Sequence, residues 1–242
     1  MSDDTHAVNR WGYWATIAWA VVAFLVGQFA ALGAVVFWRA GQINAIMETP
    51  FDGELVTLFI LISNPTTVAI LWFAAWLSKS NPADYLGLRW AARRDLVIGL
   101  VLLVALIALS DGFLYLSGRE LVTPFQLQSY TTAAAEGWLP AMWIAAVIVA
   151  PAGEEIIFRG FLFRGFVTSP RSAWPAIVII SLLWAGLHIQ YDWAGMLQIF
   201  IIGLFLGWVR LTSGSVLLTF LLHALFNLEG TMETVLQIKF LS

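Results

Sequence analysis

Runs of apolar residues, most of them long enough to cross a lipid bilayer, dominate this sequence. A transmembrane helix needs about 20 predominantly apolar residues to span roughly 30 Å of hydrocarbon. The chain of 242 residues is 60% hydrophobic and only 11% charged, with a mean hydropathy of +0.84, far from the composition of a soluble domain. We therefore predict an all-α fold: a polytopic transmembrane helical bundle of about seven to eight helices, forming a single domain over residues 1–242. The predicted spans are 11–38, 55–77, 96–116, 138–166, 174–188, 194–211 and 216–228.

The distribution of charge predicts the environment of the bundle. Net charge is −3 and most charges lie between the apolar runs, so nothing indicates a nucleic-acid partner. The absence of cysteine excludes disulfides, thiol catalysis and cysteine metal sites. By the positive-inside rule we predict an integral multi-pass protein of the plasma membrane, embedded in the lipid bilayer with its amino terminus in the cytoplasm. That orientation places nine cations inside (Arg10, Lys79, Arg89, Arg93, Arg94, Arg159, Arg164, Arg171, Arg210) and three outside (Arg39, Arg119, Lys239).

Three charged residues interrupt the fourth apolar run. Glu154, Glu155 and Arg159 have apolar sequence on both sides, and ionisable groups inside transmembrane segments are costly and usually functional. Glu155 and Arg159 are four residues apart and share a helix face, whereas Glu154 is turned away by about 100°. This predicts one carboxylate that pairs with Arg159 and one that is free to react. Because Pro151 cannot donate to the preceding turn, we also predict a helix break at 151–153 that leaves both glutamates in a first turn.

Two of the three histidines, His188 and His223, also lie in apolar runs. Asn227 follows His223 by four residues and shares its helix face. At about 1.5 Å per residue from one membrane boundary, Glu154, His188, His223 and Asn227 lie roughly 12 to 21 Å deep. The four side chains can therefore meet near the middle of the membrane.

Other polar features are assigned structural roles. The polar stretch at 63–67 is expected to kink its helix or to face the bundle interior, because lipid offers freed backbone groups no partner. Residues 81–88 predict a short interfacial helix, and the link at 117–136 predicts a small surface helix. Asp111 is predicted to be interfacial rather than catalytic. The tail at 1–10 is expected to be disordered.

Three motifs, taken in order, resemble the signature of a known family. The motifs are Glu154-Glu155-x-x-x-Arg159, Trp184-x-x-x-His188 and His223-x-x-x-Asn227. Their order and spacing resemble the CPBP family of CAAX proteases and bacteriocin-processing enzymes, also called the ABI family, over residues 150–230 within a motif-bearing core at 138–230. Leu86-Gly87-Leu88-Arg89 is similar to a further recurring element of that family. The second motif usually begins with Phe, so Trp184 is a departure that we expect to affect packing behind His188 more than the chemistry.

The resemblance implies an intramembrane endopeptidase of the metal-independent glutamate type, related to type II CAAX prenyl endopeptidases. It implies a membrane-associated protein or peptide as substrate, and no metal and no cofactor. Glu154 with His188 would activate water, and His223 with Asn227 would donate hydrogen bonds to the oxyanion of the tetrahedral intermediate. Glu155 and Arg159 would support the helix that carries the base.

Three alternatives remain open at this point. A non-enzymatic scaffold or immunity factor can use the same fold, because fold does not fix function. A zinc metalloprotease is possible because two histidines and a glutamate could bind zinc, although the sequence has no His-Glu-x-x-His helix. A proton-coupled transporter could use the Glu/His chain as a relay, but no repeated halves are evident.

Overall fold

The structure is a computed structural model that describes residues 11–40, 48–49 and 51–240, so the tail predicted to be disordered lies outside the described residues. Over the described part of the chain the regular structure is helical, and the predicted all-α fold is confirmed. In this part we number nine α-helices: α1 Tyr13–Trp38, α2 Gly53–Leu77, α3 Pro82–Leu86, α4 Arg93–Leu116, α5 Pro124–Ala135, α6 Leu139–Phe166, α7 Ala173–Gly186, α8 Trp193–Ser213 and α9 Val216–Phe240.

Five of these helices, α1, α2, α4, α6 and α8, are long and apolar enough to cross a membrane. The other two predicted spans correspond to α7, which has only 14 residues, and to α9, whose second half carries Glu229, Glu233 and Lys239. These seven helices match the seven predicted spans in order, and the five long apolar ones indicate an integral membrane protein.

The helices run alternately up and down, which gives the bundle two ends of different charge. The end at which α2, α6 and α8 finish is the basic end, defined by Lys79, Arg89, Arg93, Arg94, Arg164, Arg171 and Arg210. At the opposite end two of the three described cations are paired with acids: Arg39 lies 2.8 Å from Glu54, and Arg119 lies 2.7 Å from Asp192. Most cations of the described residues therefore lie at the basic end.

The helix break predicted at 151–153 is wrong, because α6 continues through Pro151 from Leu139 to Phe166. Two segments of this helix, Ala145–Val149 and Ile156–Leu162, have the wider π-helical turn. Such π-bulges occur frequently at functional sites. The two glutamates therefore lie between two wide turns in mid-helix, not in a first turn.

The first wide turn explains how α6 accommodates a proline. The Ala150 N–H donates to the Ala145 carbonyl, five residues back. In the same register the Ala146 carbonyl would accept from residue 151, but proline has no N–H. The Asn227 side chain supplies the missing donor, with Nδ2 2.9 Å from the Ala146 oxygen. A residue of α9 thus replaces the hydrogen bond that Pro151 cannot make.

The polar stretch of α2 faces the bundle interior, as predicted. Ser63 and Thr67 are 3% and 6% exposed, and Thr67 Oγ1 donates to the Ala23 carbonyl of α1 at 3.3 Å. Gly27 permits this close approach, because a Cβ there would lie 2.7 Å from the Ser63 carbonyl oxygen. The polar groups therefore join α1 to α2, and the helix passes Pro65 without ending.

Both predicted short helices are present. The side chain of Asn81 caps α3 by accepting from the Ala83 N–H at 2.9 Å, and Gly87, with φ of 75°, ends the helix. In α5, Thr123 and Gln126 form a capping box. Both helices are short and lie at the ends of the bundle, α3 at the basic end and α5 at the opposite end.

Candidate active site

The second wide turn of α6 buries an ion pair in the centre of the bundle. Glu155 and Arg159 are 0% and 1% exposed, and Arg159 Nη1 donates to Glu155 Oε1 at 2.8 Å, which is the predicted pairing. Arg159 Nη2 also donates to the Gly203 carbonyl at 3.3 Å, and its guanidinium lies 4.4 Å from the centre of the Trp184 ring. Removing either partner of such a buried pair strands a charge and is strongly destabilising.

Glu154 faces away from this pair, also as predicted, and lies between the two histidines. Its Oε2 is 4.0 Å from His188 Nε2 and 3.9 Å from His223 Nε2. The other ring nitrogens are engaged: His223 Nδ1 lies 3.0 Å from Glu155 Oε1, and His188 Nδ1 lies 2.8 Å from the Trp184 carbonyl oxygen. Three of the candidate catalytic groups therefore meet, with Glu154 in the middle.

These contacts assign the tautomers of both imidazoles. A carboxylate and a carbonyl oxygen accept hydrogen bonds, so Nδ1 of His223 and of His188 carries the proton. In the neutral ring Nε2 is then an acceptor, and on both histidines this nitrogen faces Glu154. Donation of a hydrogen bond from either Nε2 requires the imidazolium form.

Trp184 contacts the candidate base directly, which the sequence analysis missed. Its indole N–H donates to Glu154 Oε2 at 2.5 Å. Its ring packs edge-on against the His188 and His223 rings, at 5.4 and 5.1 Å between centroids. The expectation that this Phe-to-Trp departure affects packing more than chemistry did not include this hydrogen bond, which phenylalanine cannot make because it has no N–H.

Asn227 lies in the same cavity but its side chain amide is not free. One N–H of Nδ2 is used by the Ala146 carbonyl at 2.9 Å. The amide nitrogen carries two N–H groups, so the second N–H is the one that the predicted hydrogen bond to an oxyanion would use. The structure thus gives Asn227 a structural contact that the sequence analysis did not anticipate.

A cavity of about 590 Å³ connects these groups to the end of the bundle opposite the basic end. Glu154, Trp184, His188, His223 and Asn227 line its inner part. Its outer part reaches Arg119 and exposed Glu120 in the loop after α4, and Asp192 at the start of α8. Hydrogen bonds from the Gly195 backbone and from Arg119 hold the pKa of Asp192 below its usual value, so the pair at this mouth is ionised at neutral pH.

A smaller cavity of about 200 Å³ approaches Glu154 and His188 from the other side. It is lined by apolar residues of α1, α2 and α6, among them Phe24, Phe59 and Ile157, and by the polar side chains Gln28 and Asn64. Glu154 and His188 therefore line both cavities.

Tyr191 is a further group at the site that the sequence analysis missed. It lines the larger cavity, and its ring stacks on that of His188 with centroids 6.2 Å apart. Burial and the nearby charge of Glu154 raise the pKa of Tyr191 to about 12. Its phenol therefore keeps its proton throughout the physiological range and can act as a hydrogen-bond donor.

Three carboxylates, Asp111, Glu229 and Glu233, converge along the same cavity. Their oxygens lie within 4.8 Å of one another, whereas Glu154, His188 and His223 are not among the described groups that meet this distance. Glu229 and Glu233 share a face of α9 by their spacing, but their meeting with Asp111 depends on the packing of α4 against α9. Asp111, predicted to be interfacial, is half-buried in this group.

Comparisons with known proteins point to the same family as the motifs. Residues 136–228 match the family described as type II CAAX prenyl endopeptidase Rce1-like. A curated Escherichia coli protein described as an uncharacterized 24.3 kDa protein is 30% identical over 145 residues. That match covers 56% of this chain and 66% of the relative, just under two thirds of its length. No solved structure matches the chain.

Proposed function

We propose that this protein is an endopeptidase in which Glu154 is the general base, because residues 136–228 match the family described as type II CAAX prenyl endopeptidase Rce1-like. The observation that carries the proposal is the position of Glu154 Oε2, 4.0 and 3.9 Å from two histidine Nε2 atoms beside a cavity of about 590 Å³. These separations exceed a direct hydrogen bond and suit groups bridged by one small molecule or by a substrate atom.

The proposed reaction is addition of water to a peptide carbonyl. Glu154, held by the Trp184 N–H and assisted by His188, takes one proton from a water molecule as its oxygen forms the bond to the carbonyl carbon. The carbonyl oxygen becomes an oxyanion. When the C–N bond breaks, the proton held by Glu154 passes to the leaving amine, and the second product is a carboxylic acid.

His223 and Asn227 are proposed to stabilise the oxyanion. His223 can do so as an imidazolium, because Glu155 accepts at Nδ1 and offsets the charge while Nε2 donates. Asn227 can use the N–H that does not bind the Ala146 carbonyl. The phenol of Tyr191 is a further donor at the cavity wall.

The substrate is proposed to be a membrane-associated protein or peptide. The candidate base lies within a membrane-spanning helix, and a second cavity of about 200 Å³, lined by residues of α1, α2, α6 and α7, also reaches it. We further propose that the basic end faces the cytoplasm of the cell, in accord with the positive-inside rule.

The test is the loss of cleavage in Glu154→Gln, which keeps the size of the side chain but removes the base. Membrane-associated peptides from cells that produce the wild type, Glu154→Gln or Glu136→Gln are compared for new amino termini. Glu136 is an exposed glutamate outside the cavity, so Glu136→Gln controls for the substitution itself. We expect the same new termini with wild type and Glu136→Gln and none with Glu154→Gln, whose folding is checked by thermal unfolding. Identical peptides from all three would contradict the proposed activity and favour a non-enzymatic scaffold or immunity factor on this fold.

A zinc peptidase is the second candidate, favoured by one observation. Both histidines direct Nε2 toward Glu154 while Nδ1 contacts an oxygen, an arrangement that also orients histidine ligands around a metal. Dialysis against a strong chelator separates the two candidates. Retained cleavage without stoichiometric metal supports the glutamate mechanism, and loss of cleavage restored by zinc alone supports the metallopeptidase.

A further inference from the structure

Three arginines form a cluster at the basic end, remote from the catalytic cavity. Arg210, near the end of α8, is only 7% exposed, Arg164 at the end of α6 is half-buried, and Arg89 is exposed. The three are close enough for the charges of Arg89 and Arg164 to act on Arg210. None of them lines the cavity that contains Glu154.

Neutral groups contact Arg89 and Arg210. Arg210 Nε donates to the Arg159 carbonyl at 2.9 Å, and its guanidinium lies 5.1 Å from the centre of the Phe163 ring. Arg89 Nε donates to the Gly214 carbonyl at 2.9 Å. No ion pair joins Arg89 or Arg210 to a carboxylate of the described residues. Arg210 is buried within reach of the charge of Arg89, so an anion bound beside these two side chains would offset their mutual repulsion.

The backbone at Gly87 lies close to the side chain of Arg210. Gly87 has φ of 75°, and a Cβ at this position would collide with the Arg210 guanidinium. The Val216 N–H donates to the Gly87 carbonyl at 2.9 Å, and Ser215 Oγ donates to the Arg89 carbonyl. These contacts join Leu86-Gly87-Leu88-Arg89, at the end of α3, to the turn between α8 and α9. The proposed reaction gives this element no role.

We propose that Arg89, Arg164 and Arg210 bind the phosphate of an anionic phospholipid headgroup. Guanidinium groups suit phosphate because they donate several hydrogen bonds in a planar fork. The position suits a lipid, because the cluster lies where membrane helices end and the neighbouring Trp90 is 80% exposed, as expected of an interfacial anchor. Exposed Arg93 and Arg94 follow directly and add attraction for an anionic membrane surface.

The site has a physical link to the candidate active site. Arg210 contacts the backbone carbonyl of Arg159, and the side chain of Arg159 holds Glu155, which contacts His223. A headgroup that holds Arg210 in place therefore stabilises the segment of α6 that positions these residues. Lipid binding itself does not depend on whether Glu154 is a base.

The experiment measures thermal unfolding of the full chain in nanodiscs of phosphatidylcholine alone or mixed with phosphatidylglycerol, at constant ionic strength. We expect phosphatidylglycerol to raise the Tm of the wild type by about 4 °C. Arg89→Gln, at an exposed position, should lose most of this rise. Arg171→Gln, an exposed arginine of the same end outside the cluster, should keep it.

The outcomes are distinct. An equal rise in Arg89→Gln and wild type, or no rise in either, overturns the site. Inorganic phosphate added to phosphatidylcholine nanodiscs is the second arm: if it reproduces the full rise, the cluster binds free phosphate and the lipid assignment is wrong. Mass spectrometry of protein released from mixed nanodiscs should show retained phosphatidylglycerol on wild type and Arg171→Gln, and much less on Arg89→Gln.

Discussion

At the scale of single residues, Trp184 is the side chain that joins the parts of the candidate site. Its N–H holds Glu154, its edges contact both histidines, and its ring face lies under the Arg159 guanidinium. Aromatic rings placed in this way fix the positions of their neighbours through packing as well as through one polar atom. We therefore assign Trp184 as a positioning residue for the proposed base.

Trp184→Phe should lower kcat while leaving a folded protein. The change keeps an aromatic ring but removes a hydrogen bond to a carboxylate, which is worth about 1.5–3 kcal/mol, or roughly 10- to 100-fold in rate. The control is Trp208→Phe, which alters a partly buried tryptophan that stacks on Phe205 outside the cavity. Both variants should lose similar, small amounts of thermal stability. If kcat falls equally in both, the role of Trp184 is packing alone.

At this scale, the contacts that could be predicted from the sequence are those that depend on the spacing of residues along one helix. Glu155 and Arg159 meet, and Glu154 does not join them, because a helix fixes which residues share a face even where its turns widen. The contacts of Trp184 with Glu154 and of Asn227 with Ala146 join residues 30 and 81 positions apart. Such contacts depend on how helices pack, which periodicity does not specify.

At the scale of elements, α6 shows why a proline is a poor guide to a helix end in a membrane. Apolar length identified the spans, because backbone groups in lipid must be satisfied within a helix. The same requirement allows a proline when another side chain supplies the missing donor. Asn227 does so for Ala146, and the wide turn at Ala145–Val149 makes room for the ring of Pro151. The predicted break failed because the partner lies on α9.

This explanation predicts coupling between Pro151 and Asn227. Asn227→Ala should cost about 1–3 kcal/mol of unfolding free energy, because the Ala146 carbonyl loses its donor. In Pro151→Ala the backbone gains an N–H that can bond to that carbonyl, so the same asparagine substitution should cost less. A double-mutant cycle in detergent should show at least about 0.5–1 kcal/mol of interaction. Simple additivity of the two changes would contradict the assignment of Asn227 to this carbonyl.

At the scale of the whole molecule, the cluster of cations and the opening of the larger cavity lie at opposite ends of the bundle. Most of the described cations lie at the basic end, whereas the larger cavity reaches Glu120 and the Arg119–Asp192 pair at the other end. If the basic end faces the cytoplasm, the candidate site is reached from the outer face of the membrane. The proposed substrate would then present its cleavable peptide on that side.

Single cysteines at the two ends of α4 test this orientation. Ala92 and Ser117 are the exposed residues that flank Arg93–Leu116, at the basic and the opposite end respectively, and the native chain has no cysteine to give background labelling. We expect a membrane-impermeant maleimide to label Ser117→Cys in intact cells and to label Ala92→Cys only after the membrane is opened, because cationic ends of membrane helices remain in the cytoplasm. Both variants change small exposed side chains, so both should unfold at the wild-type temperature. The reverse labelling pattern would place the basic end outside and the cavity mouth in the cytoplasm. A substrate peptide supplied from outside should then be cleaved only by opened cells, whereas in the orientation proposed here intact cells should cleave it.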